Sequence, residues 1–247
     1  MKNYIFDDFP RIGYLLVSRM VADQKKKPKF MYREKRTKPE DSGWRIFSGE
    51  ESDDYVNNPE NIAISSPSTI LKQDASIANL LLKGVGSVYE RVSDTAEWRK
   101  VHDFGLKDDF MVRHELTDRW RFSINNLFER RLEKETGSLL YTTGDKSVRL
   151  SVWNDKGKTK DIIYKRCIER VNTRDESRNK TLEKYDFSDD KVFRTGYRIK
   201  ESDSHREYNV IYASSIINEE LLQAALYFDS EEDMQWAIGT WQSMTID

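Results

Sequence analysis

Residues 193–228 read FRTGYRIKESDSHREYNVIYASSIINEELLQAALYF, and this stretch decides the fold of the second half of the chain. In 193–200, Phe193, Tyr197 and Ile199 alternate with Arg194, Arg198 and Lys200, the period of two that marks a strand with one buried and one wet face. Strands near 208–216 and 221–228 follow, joined around Asn218, a residue type that tolerates the left-handed backbone of a tight turn. Short connections between successive strands produce an antiparallel meander.

The pattern extends outward from there. In 120–125, Trp120, Phe122 and Ile124 alternate with Arg121 and Ser123, and Gly144-Asp145 separates SLLYTT from KSVRLSVW, as a two-residue hairpin with a primed turn requires. Two helices are expected to cover this sheet. Over 159–171, Ile163, Tyr164, Cys167, Ile168 and Val171 recur at helical spacing, with Lys165, Arg166, Glu169 and Arg170 on the outer face. Near the C-terminus, Ser230 and Asp233 resemble a capping box, and Met234, Ala237, Ile238 and Trp241 form an apolar stripe.

The first half reads as shorter strands at 13–21, 29–34, 44–48, 62–65 and 87–92, each rich in aromatic and β-branched residues. Between the last two lies a helix pair with Ser68 and Asp74 as N-caps, Ile77, Leu80 and Leu81 facing the sheet, and Gly84 and Gly86 as terminators. Residues 93–107 lack a sustained period and mark the junction. The expectation is an α+β protein of two domains, 1–100 and 107–247, each a mainly antiparallel sheet with helices packed on it.

Composition narrows the function. With 41 Lys and Arg against 43 Asp and Glu, no overall field draws the chain to nucleic acid or an anionic membrane. Hydrophobic residues are only 37%, but 6 Trp, 12 Tyr and 11 Phe supply large apolar groups for a core. One cysteine, Cys167, an opening stretch without a signal-peptide apolar core, and no apolar run of membrane-spanning length together point to a cytoplasmic protein.

No sequence signature of catalysis emerges. His102, His114, His205 and Cys167 form no zinc spacing, and His114-Glu115 lacks a second metalloprotease histidine. Gly84-Val85-Gly86 follows a helix and precedes a strand, the reverse of a dinucleotide fingerprint. Neither GxxxxGK[ST] nor GxSxG occurs. The expectation is a protein with no catalytic residues, no metal and no cofactor.

Two charge runs remain. Ile46 to Leu71 holds no lysine or arginine but carries Glu50, Glu51, Asp53, Asp54 and Glu60 around Tyr55. It reads either as a solvated turn or as a patch that faces a basic partner. Lys25, Lys26, Lys27, Lys29, Arg33, Lys35, Arg36 and Lys38 interleave with Phe30 and Tyr32. A polar hairpin tip with an outward-facing strand edge explains this run better than nucleic-acid binding, which the adjoining acids oppose.

The block DSGWRIFSG at 41–49, preceded by FMYRE at 30–34 and followed by Asp53-Asp54-Tyr55, Asn58-Pro59 and Asn61-Ile62, resembles the immunity-protein-thirty-three-like family of bacteria. That family runs through GYMYRE, DSGWRFFSGDEDDEY, NPDNIG and VGSAFER, the last appearing here as VGSVYER at 85–91. The likeness spans roughly residues 10–92, with Ile46 in place of an aromatic and Ala63 in place of a glycine. The second half looks like a PsbP-like α/β sandwich. The first resemblance implies a protein that neutralises a bacterial toxin by non-covalent binding. Its partner-facing residues are expected to be Asp41, Trp44, Glu50, Glu51, Asp53, Asp54 and Tyr55, although Trp44, Ile46 and Phe47 also suit the core, and for Trp44 the core is the better reading. The other reading is a scaffold module without a toxin partner.

Overall fold

A computed structural model describes residues 10–202 and 206–246 of the chain; the opening residues and His205 lie outside them. The chain divides into two compact units, Met1–Asp109 and Phe110–Asp247.

The first unit is built from β1 (Tyr14–Ser18), α1 (Arg19–Ala22), β2 (Phe30–Arg33), β3 (Asp41–Phe47), α2 (Asp53–Val56), β4 (Ile62–Ser65), α3 (Pro67–Gln73), β5 (Val88–Glu90) and β6 (Arg99–Lys100). Its sheet has the order β4-β1-β3-β2-β5-β6. Every pairing is antiparallel except β1 with β3, which is parallel. Alternate residues of the central strands, Leu15, Val17, Met31, Trp44 and Ile46, meet Ile70, Leu71, Ile77 and Leu81 in one core. The expected strand at 13–21 stops at Ser18, whose hydroxyl accepts from the Met20 N–H at 3.2 Å and turns the chain into α1. The cap of α3 is Ser66, not Ser68: Pro67 occupies the first helical position, where its fixed φ and missing N–H cost nothing. Asp74 does cap, but over a short 3-10 turn, Ala75–Ile77, rather than a second α-helix. The unit continues past β6, and Phe104 packs against Phe30 with ring centroids 5.2 Å apart.

In the second unit, β7 (Met111–Glu115) and β8 (Arg121–Asn125) form a hairpin. The main sheet comprises β9 (Glu129–Glu133), β10 (Ser138–Thr142), β11 (Ser147–Asn154), β12 (Thr181–Asp186), β13 (Phe193–Ser202), β14 (Glu207–Ile217) and β15 (Glu220–Phe228). It is wholly antiparallel in the order β12-β13-β14-β15-β11-β10-β9. Gly144, with φ +108°, starts the β10–β11 turn, and Asn218, with φ +45°, lies in the β14–β15 turn, as their sequence positions predict. The helices are α4 (Lys160–Asn172), capped by Thr159, and α5 (Met234–Gln242). Helix α5 and the β7–β8 hairpin close one face of the sheet over Trp120, Phe122, Tyr141, Leu222, Phe228 and Trp241, all essentially buried. The opposite face receives Ile163 and Cys167 of α4 against Ile216 and Leu221.

In this unit two details differ from the sequence reading. Arg194 and Arg198 are buried, not on a wet face. Arg194 donates to the Asp189 carboxylate at 2.7 Å and the Met244 carbonyl at 3.0 Å, while Arg198 donates to Glu231 at 2.5 Å. Each guanidinium is covered by segments distant in sequence, which strand periodicity does not register. The Ser230 capping box is also not formed. The Ser230 hydroxyl donates to the Asp233 carboxylate at 3.1 Å, and Glu231–Asp233 is a 3-10 turn leading into α5.

Gly196 of β13 is set by packing. A Cβ there would lie 2.5 Å from the Tyr212 carbonyl oxygen and 2.9 Å from the Trp241 ring, and the Trp241 indole N–H donates to the Ser215 hydroxyl at 2.9 Å. Gly196→Ala is expected to cost about 1–3 kcal/mol through overpacking, read as a lower urea midpoint at unchanged slope.

Candidate functional site

The residues from 30 to 91 divide according to what each side chain holds. Arg45 is buried in β3 and donates from Nε to Glu34 at 2.6 Å and from its two terminal nitrogens to the Asp41 carboxylate at 3.0 and 2.8 Å. Asp41 also accepts the Gly43 N–H at 2.8 Å. Gly43 has φ +82°, and a Cβ on it would run into the Glu34 carbonyl oxygen, so only glycine fits. The Ser42 hydroxyl donates to the Tyr14 carbonyl at 2.7 Å, tying β3 to β1. Trp44 is fully buried and donates its indole N–H to the Leu81 carbonyl at 3.0 Å.

The acidic run is similarly committed in part. Glu50 bridges Lys26 at 2.7 Å and Lys29 at 3.2 Å, and these two lysines hold its carboxyl below the usual range. Glu51 accepts the Ser48 N–H at 2.8 Å and the Glu50 N–H at 3.1 Å. Burial pushes its carboxyl up, but the Ser18 hydroxyl and the loop N–H groups outweigh burial and lower it. In the turn beyond, Asn58 accepts the Glu60 N–H at 3.1 Å, and the Asn61 amide donates to the Tyr55 carbonyl at 3.0 Å. At the far end, Arg91 pairs with Asp74 and donates to the Pro28 carbonyl at 2.8 Å, its guanidinium 4.8 Å from the Trp98 ring. The basic run is tied down as well: besides Lys26 and Lys29, Arg33 donates to the carbonyls of Ser42 at 2.9 Å and Lys83 at 2.5 Å.

What these bonds leave over lies on the sheet face opposite the Trp44 core. Phe30 and Tyr32 are two apart on β2 and therefore share a face; Phe30 pairs with Phe47 of β3. Tyr32 and Phe47 stack at 6.0 Å, and Phe104 approaches Tyr32 to 5.0 Å. These rings floor a groove of about 800 Å³, with Asp53 and Val56 on one lip and Glu90 and Val92 on the other. Val92 is 77% exposed. Asp53 and Asp54 sit in the first turn of α2, whose cap is the Ser52 hydroxyl accepting the Tyr55 N–H at 3.2 Å.

Of the residues expected to face a partner, Glu51 and Asp53 line the groove, Glu50 pairs with the groove lysine Lys29, and Asp54 and Tyr55 share the helix with Asp53. Asp41 and Trp44 are buried, at 1% and 0% exposure, and offer a partner no surface. The sequence reading assigns Phe47 to the core with Trp44 and Ile46, and Phe47 is only 7% exposed although it lines the groove; Phe104 is not singled out there. The spacing of Phe30 and Tyr32 carried the signal, but nothing local shows that the rings gather into one groove.

Elsewhere, His114 packs 5.1 Å from the Tyr141 ring and 5.6 Å from Phe122. Burial pushes the Cys167 thiol up. Among the described residues no group of three or more His, Cys, Asp or Glu is placed to hold a metal ion, and no helix is long and apolar enough to cross a membrane.

The Asp41–Arg45 pair yields a test. Burial alone would raise the Asp41 carboxyl, but the Arg45 guanidinium and the Gly43 N–H hold it below the ordinary value. A carboxyl lowered by folding contributes stability above its unfolded pKa of about 3.9, lost as pH falls through the folded value. Asp41→Asn, which leaves Arg45 short of its partner, should cost about 3 kcal/mol at neutral pH. It should also flatten the acid limb of stability against pH, measured by urea unfolding of the full chain.

No curated protein matches the chain. Among solved structures it is similar to one titled "Solution Structure of Cyanobacterial PsbP (CyanoP) from Synechocystis sp. PCC 6803", at 11% identity and a TM-score of 0.42, over 60% of this chain and 97% of that one. The resemblance expected of the second half is met at this level alone. The resemblance expected over residues 10–92 is borne out and runs on through β6: residues 15–102, which hold the DSGW block and every ring of the groove except Phe104, match the model of the family described as the Immunity protein Imm33 domain.

Proposed function

We propose that the chain is a bacterial immunity-type protein that neutralises a cognate toxin in the cytoplasm by non-covalent binding, with the aromatic groove of the first unit as its docking surface. The observation that carries this reading is the division of labour in the family-matched segment. Asp41, Gly43, Trp44, Arg45 and Arg91 are consumed by the fold, whereas Phe30, Tyr32, Phe47 and Phe104 face an open groove. Clustered aromatic rings with a charged lip are the usual makeup of an interface hot spot. Inhibition then works by occlusion and needs no turnover by the chain itself.

The charge contribution falls on Asp53 and Asp54. Glu50 is already neutralised by Lys26 and Lys29, and Glu51 serves its own loop. The two aspartates stand on an exposed helical turn with Tyr55, where they accelerate encounter with a basic toxin surface more than they tighten the final complex.

Co-expression with toxins encoded beside its gene, scored by co-purification and loss of toxicity, tests the reading. The Phe30→Ala/Tyr32→Ala double variant should weaken the complex by at least ~2 kcal/mol. Val92→Asp, on an exposed lip, should weaken it without disturbing the fold. Reversing Asp53 and Asp54 to lysine should slow association at low salt and leave it unchanged at high salt. Full toxin affinity in folded Phe30→Ala/Tyr32→Ala and Val92→Asp variants would move the interface elsewhere. If none of the neighbouring toxins binds, a scaffold role without a toxin becomes the better reading.

A further inference from the structure

The sheet of the second unit has a second cavity, unrelated to the groove, on the face that carries α4. Across four strands in register, Thr195 of β13 pairs with Ser214 of β14, Ser214 with Gln223 of β15, and Gln223 with Ser151 of β11. The row ends on β10, where the Ser138 and Ser151 hydroxyls lie 2.9 Å apart. One step along the strands in one direction, the same face is apolar: Phe193, Ile216 and Leu221 form the seat of α4. One step in the other, it is aromatic and cationic: Tyr197 pairs with Tyr212, their rings 5.5 Å apart, and Arg149 lies beyond Ala225.

A covered sheet face ordinarily continues its apolar pattern, because a buried hydroxyl or amide without a partner costs free energy. Here a polar row instead lines a cavity of about 280 Å³, to which α4 contributes Cys167, Arg170 and Val171, and neighbouring strand positions contribute Arg149, Tyr197 and Tyr212. That volume lies just below the roughly 300 Å³ at which drug-sized sites begin, and suits a smaller molecule. None of the residues lining it is Asp or Glu. The nearby carboxylates are already engaged: Glu133 holds Arg149 at 2.6 and 2.9 Å, and Glu201 accepts the Tyr212 hydroxyl at 2.9 Å. Arg170 has no hydrogen-bond or ion-pair partner among the described residues. Burial keeps the Cys167 thiol protonated, so it adds no negative charge to the wall.

We propose that this cavity binds a small molecule bearing an oxyanion, a carboxylate or a phosphate, with Arg170 pairing its charge and the Ser151–Gln223–Ser214–Thr195 row hydrogen-bonding the rest. Donors from short side chains on a rigid sheet hold a compact polar ligand with little ordering cost. A guanidinium at the rim selects for negative charge. The site is separate from the groove, so it does not depend on the toxin reading.

The test is an amide NMR titration of the full chain with acetate, benzoate, inorganic phosphate and phenyl phosphate, and with benzamide as the neutral counterpart of benzoate. The expected result is saturable shifts at Ser151, Thr195, Ser214 and Gln223 for at least one anion, with benzamide at least about tenfold weaker. Preference for carboxylates over phosphates, or the reverse, identifies the source of the oxyanion. Arg170→Gln, on an exposed helical turn, should weaken the anion about tenfold while leaving the spectrum folded. Gln223→Leu should weaken it independently of charge. No saturable shift at those four amides at millimolar concentrations of any probe overturns the proposal, as does equal affinity for benzoate and benzamide.

Discussion

The first unit depends on a charge held almost wholly out of water. Arg45 sits in the middle of the six-stranded sheet, side chain 9% exposed, and is held from both sides by Asp41 of its own strand and Glu34 just beyond β2. Removing a guanidinium from water costs several kcal/mol, and only a well-aligned set of carboxylate bonds offsets that. The alignment exists in one register: Asp41 and Arg45 share a strand face, Gly43 between them takes the left-handed backbone that lets its N–H meet Asp41, and Arg45 stands opposite Tyr32. A slip of β2 against β3 by one residue would carry Glu34 away from Arg45 and leave Asp41, on the same strand, as its remaining partner. The Glu34–Arg45 bond thus acts more as a register pin than as a source of net stability.

With that register fixed, the two faces of the sheet follow. Trp44 and Ile46 turn toward α3 and the core, and Phe30 with Phe47 turns to the opposite side. The groove is therefore a by-product of the same strand alternation that builds the core. Its floor shares a sheet face with the buried ion cluster, Arg45 standing opposite Tyr32. The acidic run contributes unequally to this surface, since Glu50 and Glu51 stabilise the loop that carries Asp53 and Asp54.

The second unit uses a different device. Its antiparallel sheet is covered on one face by α5 and the β7–β8 hairpin, where Trp241 occupies space that Gly196 vacates. On the other face, α4 covers only part of the surface, because its buried stripe is a single row of three residues: Ile163, Cys167 and Val171. Where the helix ends its cover, side chains change from apolar to hydroxyl and then to tyrosine and arginine, and a cavity opens at the boundary.

Much of this architecture was legible in the residues themselves. The alternation in 120–125, the glycine-aspartate hairpin at 144–145, the turn at Asn218 and the stripe of α4 all depend on local periodicity and turn chemistry, which a sequence carries openly. So did the family-like order of blocks from residue 30 to 91. The buried state of Arg194 and Arg198, the shortening of the strand at Ser18, and the assembly of Phe30, Tyr32, Phe47 and Phe104 into one groove were decided by the tertiary structure. The reason is physical: periodicity fixes which side chains share a face, whereas burial of a charge and convergence of rings depend on which distant segment comes to cover that face. The sequence by itself determined strands, turns and the residues able to pin them; only the packed chain decided which of its acids and aromatics were left free to meet another molecule.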